Sequence, residues 1–256
     1  MPSRELEAAL DAARAAALVI QGLYRRHAAV TLKADRSPVT EADIKAEQAI
    51  RGILSERFPD YGFYGEESPA QGLDAPNLWL VDPIDGTKSF VRDCPFFSTQ
   101  IALMRAGRLV LGVSCASAYG ELAWAEKGAG AFLDGRRIRV SAVDTLAGAI
   151  LSTGNLRSLA ASPVGWSRFG SLVGRVNRLR GYGDFLHYHL LARGSLDAVI
   201  ESDVNILDIA ALTVIVREAG GVFTDLAGRD IGLQTTSVLA ANPALHAQVH
   251  DALQHG

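Results

Sequence analysis

Cysteine is nearly absent: Cys94 and Cys115 are the only two in 256 residues, and neither belongs to a C-x-x-C pair. That spacing offers no disulfide framework, so both are expected as reduced, packed thiols. No apolar run approaches the roughly 18 residues that a membrane span needs. An excess of basic charge is also missing. The net charge is −3, from 25 Lys and Arg against 28 Asp and Glu, whereas a nucleic-acid binder usually shows a basic surplus or stripe. The opening Met1-Pro2-Ser3-Arg4-Glu5-Leu6-Glu7 runs at once into a charged amphipathic pattern, without the apolar core of a signal peptide. There is no internal repeat, low-complexity stretch or long linker. Together these absences lead us to expect a cytoplasmic protein. What remains is ordinary for a globular chain: 48% hydrophobic and 21% charged residues, in a length suited to one large α/β domain or two intimately packed subdomains.

Along the chain, Leu6, Leu10, Ala13, Ala17, Ile20 and Tyr24 recur at three- and four-residue steps and predict a one-faced helix over 4–27. A turn with Lys33 and Ser37-Pro38 follows. Thr40 then opens a second helix to about residue 58, giving an antiparallel helix pair. Strands are expected at 63–64, 78–81, 98–104, 109–116, 121–126 and 131–133, a mostly antiparallel meander. After about residue 145 helices and strands alternate. Strands are expected at 149–152, 178–182, 198–201, 222–225 and 237–240, with helices at 162–178, 185–193, 209–219 and from Pro243. An N-terminal α+β part (1–144) and a C-terminal α/β part (145–256) are expected to form one compact unit with two layers of sheet.

Most of the chemistry sits in Asp82-Pro83-Ile84-Asp85-Gly86-Thr87. One aspartate ends a buried strand and a second follows three residues later across a proline-stiffened turn. Both carboxylates and the Ile84 carbonyl can then aim at one point. Oxygen-only ligands suit hard cations such as Mg²⁺ or Mn²⁺ and not zinc. Gly86 and Thr87 open a short helix, 88–91, where free backbone N–H groups can bind phosphate. The plainer alternative is an Asp-Gly turn with a capping aspartate. Gly65-Glu66-Glu67 alone would pass for solvated surface, but it follows an aromatic strand and precedes the metal loop closely. Asp208 heads an apolar helix ending in Gly220-Gly221 and reads both as an N-cap and as a carboxylate directed out of the sheet edge. Thr40 and Asp43 have capping-box spacing. His187 and His189 fall on helix faces about 160° apart, too divergent for shared metal binding. They read as structural or substrate-side residues.

Taken together, these segments resemble the inositol monophosphatase family. The matching stretches are Lys33, Ser37-Pro38-Val39-Thr40-Glu41-Ala42-Asp43, Gly65-Glu66-Glu67-Ser68, Trp79 through Phe90, and Leu207-Asp208-Ile209-Ala210-Ala211. Order and spacing agree from the first helix pair to Glu218-Ala219-Gly220-Gly221. The resemblance implies a layered αβαβα sandwich, usually a homodimer, that requires two or three Mg²⁺ per site, with Mn²⁺ able to substitute. By position it implies a first metal on Glu66, Asp82 and the Ile84 carbonyl, and a second shared by Asp82, Asp85 and Asp208. Gly86 and Thr87 would hold the phosphate. Asp43 matches a family residue near the attacking water and a further metal site, which revises its reading as a cap alone. Glu67 matches no ligand. The chain departs from inositol-type members at Leu207, where they usually carry tryptophan, and at Gly183-Asp184, where they tend to have Gly-x-Ala. In these stretches, and in Glu201-Ser202-Asp203, it looks more like the histidinol-phosphate phosphatase branch.

A phosphate monoester carries close to two negative charges and repels an anionic nucleophile. Clustered carboxylates would worsen that repulsion unless cations intervene. The expected chemistry is direct attack by metal-activated water, with Glu66, Thr87 and Asp43 as the catalytic residues that orient it or take its proton. No D-x-D-x-T/V loop suggests a phospho-enzyme. Asp184 and Glu201 are expected on the substrate side, with Asp203 adding field. Those acids favour histidinol phosphate, which bears an ammonium group. The alternatives are inositol phosphate, another polyol phosphate or a 3′-nucleotide. No nucleic-acid or membrane partner is expected. A non-catalytic binding protein has no need of the whole carboxylate set, and a nuclease would show a basic groove that Arg175–Arg180 does not supply.

Overall fold

The computed structural model describes residues 2–25, 30–32 and 38–255. α1 (Arg4–Leu23) is capped by Ser3, whose side chain accepts from the Leu6 N–H, and buries an alanine-rich stripe, Ala9, Ala13 and Ala16, with Ile20. Small side chains let α2 (Glu41–Arg57) approach closely. Between them, β1 (Val30–Leu32) and β2 (Pro38–Thr40) form an antiparallel hairpin. Neither strand was expected from sequence, because three residues beside Ser37-Pro38 show no clear alternation. Lys33 and Ser37, quoted above, lie outside the described residues. α1 ends at Leu23, short of the expected 27, where Tyr24 turns to an extended conformation as its C-cap.

The first sheet runs, in spatial order, β3 (Gly62–Gly65), β4 (Asn77–Asp85), β5 (Ser98–Arg105), β6 (Arg108–Ala116), β7 (Glu121–Glu126), β8 (Gly130–Leu133) and β9 (Arg136–Ile138). Only β3–β4 is parallel. β4 is buried throughout Leu78–Ile84 because helices cover both its faces, so it reads as a continuous apolar run. It extends four residues past its expected end at 81. A register shift between Asp82 and Asp85 absorbs Pro83, which has no N–H to give. Thr99 Oγ1 instead donates to the Pro83 carbonyl at 2.8 Å.

After α3 (Thr87–Val91), which lies between β4 and β5, no helix appears until the 3₁₀ turn Leu146–Gly148. The second sheet then builds from β10 (Ile150–Thr153), β11 (Arg178–Arg180), β12 (Ala198–Ser202), β13 (Val222–Thr224) and β14 (Ser237–Ala241), ordered β11-β10-β12-β14-β13. β10 is parallel to β11 and β12, and β14 is antiparallel to β12 and β13. Its helices are α4 (Arg157–Ala160), α5 (Pro163–Val173), α6 (Asp184–Ala192), α7 (Ile206–Glu218) and α8 (Pro243–His255). α5 stops five residues short of its expected end. α7 starts three residues before the expected 209.

Three apolar clusters hold five layers together, in the αβαβα order the motifs led us to expect. α1 and α2 cover one face of the first sheet. α6 and α7 fill the space between the two sheets. α5 and α8 cover the outer face of the second. α7 is apolar all round because it is buried on every side. The proposed boundary at 144–145 falls between the sheets, yet α7 from the second half seats directly on β6 of the first. At Gly112 a Cβ would run into the Ala211 backbone.

Gly112→Ala therefore tests how tightly α7 is held. Overpacking of this kind costs about 1–3 kcal/mol, or about 2–4 °C of Tm per kcal/mol in a chain of this size. Thermal unfolding followed by circular dichroism should show that loss, and an unchanged Tm would refute the close seat.

Candidate metal centre and substrate cleft

The irregularity in β4 builds the first part of the site. Asp82 is 2% exposed, and its Oδ1 accepts the Ile84 N–H at 2.9 Å, which folds the strand end over its own carboxylate. The Ile84 carbonyl accepts from Thr87 Oγ1 at 3.0 Å, and the same hydroxyl lies 3.1 Å from Asp43 Oδ1. Gly86 precedes α3 in the left-handed conformation (φ 92°), which a glycine holds without strain. Asp43 has two engagements. Its Oδ2 accepts from the Thr40 N–H (2.8 Å) and Thr40 Oγ1 (2.6 Å), completing the capping box of α2, while Oδ1 faces Thr87. The capping and site readings of Asp43 therefore coexist.

Asp208 arrives from the other half of the chain. It is not the N-cap of α7. Asn205 is, with its side chain accepting from the Leu207 N–H at 2.7 Å. Asp208 is the third residue of the helix and closes a second capping box on the Asn205 N–H at 2.9 Å. The two acids thus come to the site in the same way, each as the third residue of a capped helix. Carboxylate oxygens of Asp82, Asp85 and Asp208 all lie within 4.8 Å of one another. Glu66 lines the same cleft, and its charge bears on Asp82.

Such crowding is electrostatically costly. Burial, then the charges of Glu66, Asp85 and Asp208, push the Asp82 carboxyl well above its ordinary range. Burial, then Asp184 and Asp208, do the same to Asp85. Burial raises Asp208 to about 7 despite the Asn205 hydrogen bonds. Burial also raises Asp43. Carboxylates and a backbone carbonyl form an all-oxygen donor set whose charges oppose one another, which fits hard divalent cations.

Around this group lies a cleft of about 440 Å³, lined by Glu66, Asp82, Asp85, Thr87, Asp184 and Asp208 among others. The first turns of α3, α6 and α7 all open onto it. Helix N-termini carry partial positive charge and unpaired N–H groups, so they suit an anion there. A separate pocket of about 250 Å³ at the far end of α7 is lined by Arg108, Lys127, Arg217 and Glu218 and shares no residue with this cleft.

The two expected substrate acids are placed differently. Asp184 faces the cleft, and burial and the Glu201 charge raise its pKa. Glu201 sits one layer behind, only 3% exposed. Its Oε1 accepts the Asn155 N–H at 3.1 Å and its Oε2 the Tyr188 hydroxyl at 2.8 Å. Burial would raise its pKa, but contacts with His187 and Tyr188 outweigh burial and hold it low. Glu201 also lines a narrow recess of about 20 Å³ beside Asp85, Asp184 and Asp208, behind the main cleft. Asp203 lines the rim, where the Ser158 N–H and hydroxyl and the Ser202 hydroxyl hold its carboxylate.

Sequence reasoning missed Asn155 and Asn205, both on the cleft wall. A usable signal was present for Asn155. It follows β10, and ligands gather beyond the carboxyl ends of parallel strands. At the preceding Gly154 a Cβ would collide with the Glu201 carboxylate.

A fold of alternating helix and sheet layers with acids converging over helix N-termini defines a class of small-molecule phosphatase. The comparisons narrow it: the chain belongs to the inositol monophosphatase family, whose model matches residues 1–255, and is a phosphatase of that family. It is 41% identical over 232 residues to a histidinol-phosphatase of Mycobacterium tuberculosis, covering 89% of this chain and 88% of that one. It is 38% identical over 260 residues to an inositol-1-monophosphatase of Caulobacter vibrioides, covering 96% and 99%. Among solved structures, the extragenic suppressor protein suhB of Bartonella henselae superposes with a TM-score of 0.89 at 32% identity, over 99% of this chain and 100% of that one.

The raised carboxyl groups predict an unusual stability profile for metal-free protein. Asp82, Asp85 and Asp208 bind protons more tightly folded than unfolded. Their stabilising effect is complete below the ordinary carboxylate range and is lost as pH rises toward and past about 7. The Tm in chelator should fall between pH 5 and pH 8, and Mg²⁺ should raise it most at pH 8. Asp85→Asn should flatten that fall and weaken the Mg²⁺ response. A chelated Tm that climbs steadily over this range would contradict the assignment.

Proposed function

We propose that this phosphatase hydrolyses histidinol phosphate to histidinol and phosphate, with Mg²⁺ held by Glu66, Asp82, the Ile84 carbonyl, Asp85 and Asp208. Two or three Mg²⁺ bound at these groups would neutralise the monoester, activate water and stabilise the leaving oxygen. The rest of the work falls to the chain. N–H groups of Gly86 and Thr87, at the open end of α3, hold phosphate oxygens. Glu66 orients the attacking water. Thr87 takes a proton from that water as its own hydroxyl proton passes to Asp43 Oδ1, 3.1 Å away. Burial lets Asp43 hold a proton more readily than an exposed carboxylate does.

The observation that carries the choice of substrate is Asp184, an acid on the cleft wall that also bears on Asp85. Beside the cation site, it offers a negative group to the ammonium end of an aminoalkyl phosphate. The 41% identity to a relative named histidinol-phosphatase supports the same choice. A polyol phosphate is the second reading, favoured by the Caulobacter relative's name. Its hydroxyls would hydrogen-bond Asp184 without bringing the opposite charge that an ammonium group supplies.

Specificity constants for histidinol phosphate, inositol 1-phosphate and 3′-phosphoadenosine 5′-phosphate in Mg²⁺ decide between them. A hydrogen bond to a charged group contributes about 1.5–3 kcal/mol, so histidinol phosphate should lead by at least about tenfold. Asp184→Asn should erase most of that lead. Equal or better turnover of inositol 1-phosphate would overturn the substrate choice. Separately, Asp85→Asn should cut turnover on every ester by orders of magnitude in a folded protein, and near-normal activity would count heavily against the metal site.

A further inference from the structure

α6 is nine residues long and carries two fully buried histidines, His187 and His189, on nearly opposite faces. Asp184 begins the helix in a left-handed conformation (φ 44°) behind Gly183. Single aspartates adopt that conformation more readily than most residues, and Gly183 brings no side chain to cap the helix start. The contacts that fasten α6 lie further along it.

His189 faces the first sheet. Its Nε2 lies 2.9 Å from Ser114 Oγ on β6 and its Nδ1 3.0 Å from Glu121 Oε2 on β7. Arg193, just past the end of α6, donates to Glu121 Oε1 at 2.8 Å. Burial lowers the His189 pKa and so keeps the ring neutral near pH 7, while the hydrogen bond from His189 holds Glu121 low and ionised. These partners assign the tautomer: Nδ1 donates to the carboxylate and Nε2 accepts the serine proton. Serine, histidine and glutamate in series also describe an activated nucleophile, but Ser114 is wholly buried in the sheet, out of reach of any substrate. His187 faces the second sheet, with Nε2 3.2 Å from Glu201 Oε2 on β12 and Nδ1 3.4 Å from Ser152 Oγ on β10. The His187 Nε2 makes no well-formed hydrogen bond there, so the firmer tether of α6 is His189 on the first sheet.

We propose that His189 is a positioning residue for substrate discrimination. By fastening α6 to β6 and β7 it fixes how far Asp184 stands from the carboxylates of Asp82, Asp85 and Asp208. It thereby sets the spacing between ammonium and phosphate that the cleft accepts. The inference rests on Asp184 as the acceptor of the ammonium group. A helix of about two and a half turns has little length over which to absorb a tilt, so a loosened His189 is felt at Asp184. Asp82 and Asp85 on β4, Asp208 on α7 and Glu66 after β3 make no hydrogen bond with His189, so phosphate hydrolysis itself is expected to be spared.

The test uses the Mg²⁺-loaded enzyme with His189→Leu, His189→Gln, Asp184→Asn and the double variant His189→Leu/Asp184→Asn. Histidinol phosphate is compared with p-nitrophenyl phosphate, which has no ammonium group. His189→Leu should raise KM for histidinol phosphate about tenfold and leave kcat/KM for p-nitrophenyl phosphate within about twofold. His189→Gln, which keeps an N–H for Glu121, should recover most of the loss. In the Asp184→Asn background, His189→Leu should add no more than about twofold. Equal losses on both esters, or a full additional loss in the double variant, would overturn the proposal. Should His189→Leu not fold, His189→Asn takes its place in the same comparison. A wild type with no preference for histidinol phosphate would defeat the substrate reading alone. The double-variant comparison is then made on whichever ester the wild type favours: a shared loss supports His189 as the positioning residue, and a full additional loss overturns it. An Asp184→Asn variant with no effect on any ester would defeat both.

Discussion

Mutual repulsion among buried carboxylates is the constraint around which this molecule is arranged. Asp82, Asp85 and Asp208 bring oxygens within 4.8 Å of one another, with Glu66 and Asp184 bearing on the same group. At an effective dielectric of 20, two like charges 4 Å apart repel by about 4 kcal/mol. The group therefore takes up protons more readily than exposed carboxylates do, and bound cations would oppose that tendency. Such a cluster costs stability, as functional sites commonly do. The surrounding fold has to hold in place acids that would otherwise move apart.

Several local devices provide that restraint. The break at Pro83 turns the end of β4 so that Asp82 and Asp85 project together, and backbone and Thr99 hydrogen bonds lock the turn. α7 is pressed onto the first sheet at Gly112 and buried along its length, so Asp208 cannot swing away. Asp43 and Asp208 close capping boxes on their own helices. Their side chains are thus oriented by the backbone that supplies them. The open first turns of α3, α6 and α7 add positive potential for a phosphoryl group beside the acids. The proposed cation and anion sites would in this way be adjacent products of one architecture. The five-layer stacking brings them together from segments more than a hundred residues apart.

Much of this was legible because the chemistry lies at fixed short spacings. Asp82-Pro83-Ile84-Asp85-Gly86-Thr87 carries both its strand end and its turn in six residues, and the long buried segments that became β4 and α7 announced themselves by apolar content. The misreadings have physical causes. Asp208 passed for an N-cap because aspartate is a good one, but Asn205 three residues earlier is equally good and lies at the true helix start. β1, β2 and β9 are three-residue strands whose pairing comes from their neighbours. The partners of Glu201 were not legible either, and only the folded chain shows Asn155, Tyr188 and His187 closing around it. The roles of His187 and His189 depend on two different sheets. No local pattern in α6 encodes that arrangement.

Crystals grown with Mn²⁺ and measured for anomalous scattering give the most direct reading of the central claim. Anomalous density is expected in coordination contact with the carboxylates of Asp82, Asp85 and Asp208 together. Manganese bound elsewhere, with the Asp208 carboxylate left uncoordinated at saturating metal, would contradict it.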